Sequence, residues 1–141
     1  SPNFIDTLSS SFGLTDLFID KTLYGGGLNI YPPGSYLSPH IDYNYDTELK
    51  AYRVINLIFY VNVQWAPING GCLEIFDRNR KKQKIIKPKL NTCILFAQNN
   101  KTIHGVTKIN NFYRKSISIW YFSKTLSPYL SAEPHKTLWI K

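Results

Sequence analysis

Tyr113-Arg114-Lys115-Ser116-Ile117-Ser118-Ile119-Trp120-Tyr121-Phe122 alternates with the period of a β-strand. Successive strand side chains point to opposite faces, so Arg114, Ser116, Ser118 and Trp120 share one side, and Lys115, Ile117, Ile119 and Tyr121 the other. Upstream, the same texture recurs in short runs at 28–31, 36–42, 53–62, 71–76, 83–87, 92–97 and 103–107, and ends in this one at 115–122. Gly, Pro and Asn separate most of them. Short strands with such punctuation and no convincing helical period predict an all-β sandwich or jelly roll. Ahead of them Phe4, Ile5, Leu8, Phe12, Leu14, Leu17 and Phe18 recur at spacings of three and four, broken by Gly13. That predicts one or two short helices packed on one sheet. Gly25-Gly26-Gly27 reads as a turn, because no Lys follows it and no strand-to-helix context surrounds it. The expected organisation is a single domain: 1–27 helical support, 28–123 β core, and 124–141 an irregular C-terminal extension with His135 at its surface.

A length of 141 residues suits one domain, and 43% hydrophobic against 18% charged residues is enough apolar material for a core. No apolar run approaches the roughly 18 residues that cross a bilayer. The start, Ser1-Pro2-Asn3-Phe4, lacks the basic and then hydrophobic order of a signal peptide. A soluble protein with no membrane partner is expected. Cys72 and Cys93 lie in apolar runs and read as buried free thiols, which points to a reducing, cytoplasmic setting. Seventeen basic and nine acidic side chains give a net charge of +8. Such a balance suits nucleic acid or an acidic protein. Much of it, however, is crowded into Arg78, Arg80, Lys81, Lys82, Lys84, Lys87 and Lys89, the pattern of a solvated hairpin.

Chemistry is suggested by Ser38-Pro39-His40-Ile41-Asp42. Two positions apart at a strand end, the imidazole and carboxylate project to the same face. By itself His-x-Asp is also an ordinary pairing at an exposed strand end. His104, on a later strand, supplies a third ligand if the sheet rolls around one cavity. Two His and one carboxylate hold Fe(II) on one side and leave positions for a chelating cosubstrate and dioxygen. No Cys-x-x-Cys or His-Glu-x-x-His argues for zinc. Arg114 is the independent sign. A guanidinium on the inward face of a strand needs a carboxylate, unless it sits at an exposed strand start. Its planar fork suits the distal carboxylate of 2-oxoglutarate.

Tyr31-x-x-Gly34, His40-x-Asp42, Arg53-x-x-Asn56, Tyr60-Val61-Asn62, Trp65, Gly70-Gly71-x-Leu73, His104, Arg114-x-Ser116 and Trp120-Tyr121-Phe122 follow one another in this order. Over roughly residues 28 to 123 the chain thereby resembles the iron(II)- and 2-oxoglutarate-dependent prolyl hydroxylases of the prolyl 4-hydroxylase type. The resemblance implies a double-stranded β-helix of cupin-like form. It implies His40, Asp42 and His104 as iron ligands, and Arg114 as partner of the far carboxylate of 2-oxoglutarate with help from Tyr60. Ser116 shares the inward face of that strand, Tyr31 is implied near the iron-chelating end of the cosubstrate, and Leu73 lines the cavity. Arg53 and Trp120 match positions near the substrate mouth.

The implied activity is hydroxylation of prolyl residues in a peptide or protein, coupled to conversion of 2-oxoglutarate and O2 to succinate and CO2, with ascorbate stimulatory. Asn56 departs from the Thr frequent in the family, and residues 43 to 52 form the lid expected to touch substrate. The segment before Leu28 is short for the family. Two other readings compete. The same cofactors could serve a free amino acid or a nucleobase, although the nucleic-acid dealkylating branch carries a second Arg where this chain has Trp120. Alternatively, the groove could bind proline-rich peptides without catalysis, which an intact triad and Arg argue against.

Overall fold

A computed structural model describes residues 2–99, 101–126 and 133–140. Helix α1 (Pro2–Phe12) precedes strands β1 (Phe18–Ile19), β2 (Gly27–Tyr31), β3 (Leu37–Ile41), β4 (Tyr45–Asp46), β5 (Ala51–Tyr60), β6 (Leu73–Phe76), β7 (Lys82–Ile86), β8 (Cys93–Ala97), β9 (Ile103–Val106), β10 (Arg114–Ser123) and β11 (Leu138–Trp139). In the first sheet the long strands β10 and β5 form the centre. β1 and β2 pair with the outer side of β10, and β4 and β8 with the outer side of β5. The second sheet runs β11-β3-β9-β6-β7. All pairs are antiparallel. This is the mostly β, jelly-roll architecture expected from the alternating runs.

Gly13, at φ +62°, ends the helix; the described N-terminal segment forms one helix, and Leu14, Leu17 and Phe18 reach the core beyond it. Ile5, Leu8 and Phe12, spaced three and four apart, pack with Leu14 and Leu17 on Val54, Ile55 and Tyr121, the outer face of the first sheet. Asp16 ties this segment to the end of β10, accepting hydrogen bonds from the backbone N–H groups of Lys124 (2.8 Å) and Thr125 (3.2 Å) and from the Ser123 hydroxyl. The helix is too short to cover the whole face. Leu28, Ile30, Ile117 and Leu95 remain exposed there. The two cysteines are free, as expected, but not buried: Cys72 is half-buried and Cys93 exposed. Cys93 faces out because no helix lies over its end of β8.

Two bulges decide which side chains reach the interior. Along β5 the alternation Tyr60, Ile58, Asn56 would send Arg53 to the helix side. The register against β10 shifts between Tyr121 and Phe122, so Ile55 faces Tyr121 but Arg53 faces Phe122. The extra residue, Val54, joins the helix-side core, and Arg53 returns to the inner face. On β3 the register against β9 shifts between Leu37 and His40. Pro39, which has no N–H to give a ladder, sits inside that irregularity.

The basic segment is a hairpin, as its composition predicts. Asp77 Oδ1 accepts from Asn79 N and Lys81 N, Arg80 takes φ +63°, and β7 returns along β6. Lys82 pairs with Glu74. The C-terminal extension is less irregular than expected: β11 adds to the free edge of β3, and His135 is half-buried rather than superficial. No helix among the described residues is long and apolar enough to cross a membrane.

Candidate metal and cosubstrate site

The antiparallel register of β3 and β9 places His40 directly opposite His104, with ring centroids 4.4 Å apart. Asp42 follows β3 and lies between them: its Oδ1 is 3.2 Å from His40 Nε2 and its Oδ2 is 3.2 Å from His104 Nε2. One ligand atom from each residue falls within 4.8 Å of the others, a cluster able to hold a metal ion. Both imidazoles are oriented from behind. His40 Nδ1 is 2.9 Å from the Ser38 carbonyl and His104 Nδ1 is 3.0 Å from the Thr102 carbonyl. Carbonyls only accept, so Nδ1 of each ring carries a proton; a neutral ring then offers the Nε2 lone pair as a metal ligand, and in the metal-free protein a protonated ring donates from Nε2 to Asp42.

Burial pushes the Asp42 carboxyl upward, but hydrogen bonds from His104 and His40, and their charge, overcome it and hold Asp42 well below the usual carboxylate range. For His40, burial works downward and is outweighed by Asp42 and the Ser38 carbonyl, leaving its pKa raised. Sequence reasoning overlooked the supports. Gln98 Nε2 donates to the Asp42 carbonyl at 2.8 Å. Phe96 packs on the His104 ring at 5.2 Å and Trp139 on the His40 ring at 5.1 Å. Phe96 lies in a recognised strand, whereas neither Gln98 nor Trp139 carries a local signal.

Gly105 sets the spacing of β3 and β9. A Cβ there would lie 2.8 Å from the Leu37 carbonyl oxygen and 3.3 Å from the Pro39 nitrogen. Gly105→Ala therefore forces β3 off β9 and moves His40 away from His104. The expected result is a loss of roughly 1 to 3 kcal/mol in stability and about 10- to 100-fold weaker metal binding, read by urea unfolding and a Mn(II) titration. Wild-type metal affinity in this variant would show that the strands tolerate the displacement.

His40, Asp42 and His104 open into a cavity of about 180 Å³ between the sheets, lined also by Tyr31, Asn56, Leu73, Arg114, Ser116 and Trp120. Arg114 is 4% exposed. Its Nε donates to the Gly71 carbonyl at 3.0 Å and its Nη2 to the Tyr60 hydroxyl at 2.9 Å, and its guanidinium lies near the Tyr60 and Tyr31 rings. Among the described residues no carboxylate pairs with it. Burial raises the Tyr60 phenol against the pull of Arg114, so the hydroxyl stays protonated and keeps its own hydrogen to donate. Gly71, at φ +68°, leaves room: a Cβ would come within 3.2 Å of Arg114 Cδ.

This chemistry fits a dicarboxylate beside a metal. The buried cation has no anionic partner among the described residues, and Asn56 Oδ1 is buried in the same cavity without a partner among them. Asn29, which the sequence did not single out, also lines the cavity and donates to the Ser118 hydroxyl at 3.1 Å. Arg53 is placed differently from Trp120. Trp120 lines the cavity, whereas Arg53 lies behind it, sandwiched between the rings of Tyr43 (3.8 Å) and Trp120 (4.2 Å). Its Nη2 reaches the Tyr24 carbonyl at 3.3 Å, while Nε is buried without a partner. Gly25, at φ +72°, adopts a conformation that favours glycine, and a Cβ there would lie 2.1 Å from Arg53 Nη2, so the guanidinium would have to shift.

A two-sheet β fold that brings a His/Asp/His cluster and a buried guanidinium into one cavity has the groups to hold a metal ion beside an anionic molecule. The chain belongs to the 2OG-Fe(II) oxygenase superfamily, whose family model matches residues 26–122. Fe(II), 2-oxoglutarate and O2 are the cofactors that membership implies. Similar solved structures include a Pseudomonas putida prolyl-4-hydroxylase (24% identity, TM-score 0.58, covering 72% of this chain and 52% of that one). A Trichoplax adhaerens prolyl hydroxylase, solved with a hypoxia inducible factor peptide, is 25% identical at a TM-score of 0.58, covering 69% of this chain and 42% of that one. A viral collagen prolyl hydroxylase from Paramecium Bursaria Chlorella virus-1, in a 2-oxoglutarate complex, is 19% identical at a TM-score of 0.62, covering 86% and 67%. The chain spans about half the length of the first two. A comparison with curated protein sequences gives no match.

Proposed function

We propose that the protein is a prolyl hydroxylase acting on a peptide or protein. In this reading His40, Asp42 and His104 hold Fe(II), and Arg114 with Tyr60 grips the distal carboxylate of 2-oxoglutarate. Ser116, Tyr31 and Leu73 line its bed, and Trp120, with Arg53 stacked behind it, borders the substrate side. Fe(II), when bound, supplies the dioxygen chemistry that couples loss of CO2 from 2-oxoglutarate, leaving succinate, to insertion of one oxygen atom into a C–H bond. The chain's own residues bind, orient and exclude water. Ascorbate serves to restore the ferrous state.

The observation that carries the reading is buried Arg114, with no carboxylate partner among the described residues, in the same cavity as the His40, Asp42 and His104 cluster. A plain core has no use for such a cation. The prolyl substrate is supported by the solved relatives, which are prolyl hydroxylases. An unbiased peptide pool incubated with Fe(II), 2-oxoglutarate and ascorbate tests it. Mass gain of one oxygen on proline-containing peptides is expected. Gain on other residues alone, or none alongside 2-oxoglutarate turnover, would overturn the prolyl assignment.

A further inference from the structure

The hairpin of β6 and β7 and the loop that follows it carry most of the protein's charge. Seven of the chain's seventeen basic residues lie between Arg78 and Lys89 with no acidic residue among them, whereas the other ten are nearly balanced by nine acidic ones. All seven are exposed. The two carboxylates nearest in the chain, Glu74 and Asp77, are already engaged. Glu74 pairs with Lys82, and Asp77 holds the turn, accepting from Asn79 N and Lys81 N on Oδ1 and from the Gln83 amide at 2.8 Å on Oδ2. Arg78, Lys81, Lys84, Lys87 and Lys89 form no ion pair among the described residues.

These charges flank an open β edge. β7 is the last strand of the second sheet, paired with β6 on one side and with no described strand on the other. Both of its ends are pinned. The Asp77 turn holds the start, and beyond the end buried Asn62 donates to the Pro88 carbonyl at 2.8 Å and to the Lys115 carbonyl at 3.0 Å. The same tie brings the backbone of Lys115, another exposed lysine, alongside Pro88. The edge is thus fixed before a partner arrives, and a strand added there loses only its own conformational freedom. It also lies close to the cavity. Lys84 pairs with Ile75, and Ile75 with His104, which puts β7 two strands, about 10 Å, from β9 and its His104.

We propose that β7 binds an extended acidic segment of a partner protein, which adds to the second sheet as a strand. A strand edge presents unpaired backbone donors and acceptors that a peptide satisfies residue by residue. The lysines decide which peptide. A second copy of β7, laid along the first, would set lysine against lysine, so the edge resists self-association. Aspartate or glutamate at the facing positions turns each repulsive pair into an attractive one, and the surplus charge steers the encounter. Nucleic acid is served worse. No aromatic ring lies between residues 78 and 89 to stack a base, and a phosphate chain has no amide to extend the ladder. The partner need not be the substrate of the cavity, so the surface stands whether or not prolyl residues are hydroxylated.

Fluorescence anisotropy on the full chain at low salt tests this with labelled decapeptides: alternating Glu-Thr, alternating Lys-Thr, and the Glu-Thr sequence with every backbone nitrogen methylated. The Glu-Thr peptide is expected to bind, more weakly as salt rises. The Lys-Thr and methylated peptides should bind about tenfold less well or worse. Lys84→Glu combined with Lys87→Glu should weaken Glu-Thr binding by about tenfold or more. Lys21→Glu combined with Lys124→Glu, an equal change of net charge beyond the far end of β10, should leave it nearly unchanged. Unchanged urea midpoints show that both double variants fold. Equal binding of the methylated peptide, or an equal loss in the Lys21 and Lys124 variant, would overturn the added strand. So would preference for an oligouridylate of equal charge, which assigns the hairpin to nucleic acid. Failure of every probe to bind would also overturn it, and would leave the lysines as a guard against edge pairing.

Discussion

Replacing Arg114 by alanine is expected to weaken 2-oxoglutarate binding by about 30-fold to several thousand-fold, equivalent to roughly 2 to 5 kcal/mol, while metal binding persists. The size follows from the surroundings. Arg114 is buried, and its Nε and Nη2 are already spent on the Gly71 carbonyl and the Tyr60 hydroxyl. These two bonds fix the plane of the guanidinium and leave Nη1 directed by them. A carboxylate entering this screened site meets a preorganised cation and the hydrogen of Tyr60, so the pairing is charge-assisted on a side where water competes poorly. Arg114→Ala strands that carboxylate without a partner. Arg114→Lys keeps the charge and should recover part of the loss, but it cannot reproduce the fork. Tyr60→Phe removes one donor and should cost less than Arg114→Ala. Calorimetric titration of 2-oxoglutarate into Mn(II)-loaded variants measures all three. Unchanged affinity in folded Arg114→Ala would assign the cosubstrate to another group; the exposed Lys115, on the opposite face of β10, is a poor candidate.

Most of the fold was legible because its strands are half-buried and alternate. β10 illustrates this, with Arg114, Ser116 and Trp120 buried and Lys115 and Ile117 exposed as the period requires. The convergence of His40, Asp42 and His104 was legible for a related reason: His40 and Asp42 share a face by spacing alone. Parity fails wherever a bulge intervenes, and bulges have no dependable sequence sign. Arg53 reaches the inner face only because Val54 is extra, and Gly105 is required only because the register slips opposite Pro39. β1, β4 and β11, with two residues each, are too short to show a period. The C-terminal segment that carries β11 escaped notice for that reason, and Trp139 with it. Its place is fixed by Asn44, whose buried amide reads in sequence as one more loop residue.

The remaining large effect concerns Asp42. Asp42→Ala, and equally Asp42→Asn, should abolish the rise in melting temperature that Mn(II) gives the wild-type protein. At a hundredfold excess over Kd a ligand stabilises by about 2.7 kcal/mol, which is several degrees for a domain of this size. Asp42 supplies the cluster's only negative charge, held midway between two imidazoles. Without it a dication would have to shed water for two nitrogens alone. Asn keeps the shape, so its failure isolates the charge. The metal-free proteins should differ in a second, pH-dependent way. Asp42 is depressed on folding, so its contribution is present above the ordinary carboxylate value of 3.8 and fades as pH falls through the folded one. His40 is raised, so its contribution is present below the ordinary value of 6.5 and fades as pH rises. The pair therefore stabilises the metal-free fold most between 3.8 and 6.5, and Asp42→Asn should lose most stability in that window. Urea unfolding across the range, with a chelator present, measures it. A pH-independent difference would mean that the His40–Asp42–His104 contacts contribute nothing to the metal-free fold, and that the cluster is held in shape by Gln98, Phe96 and Trp139 alone.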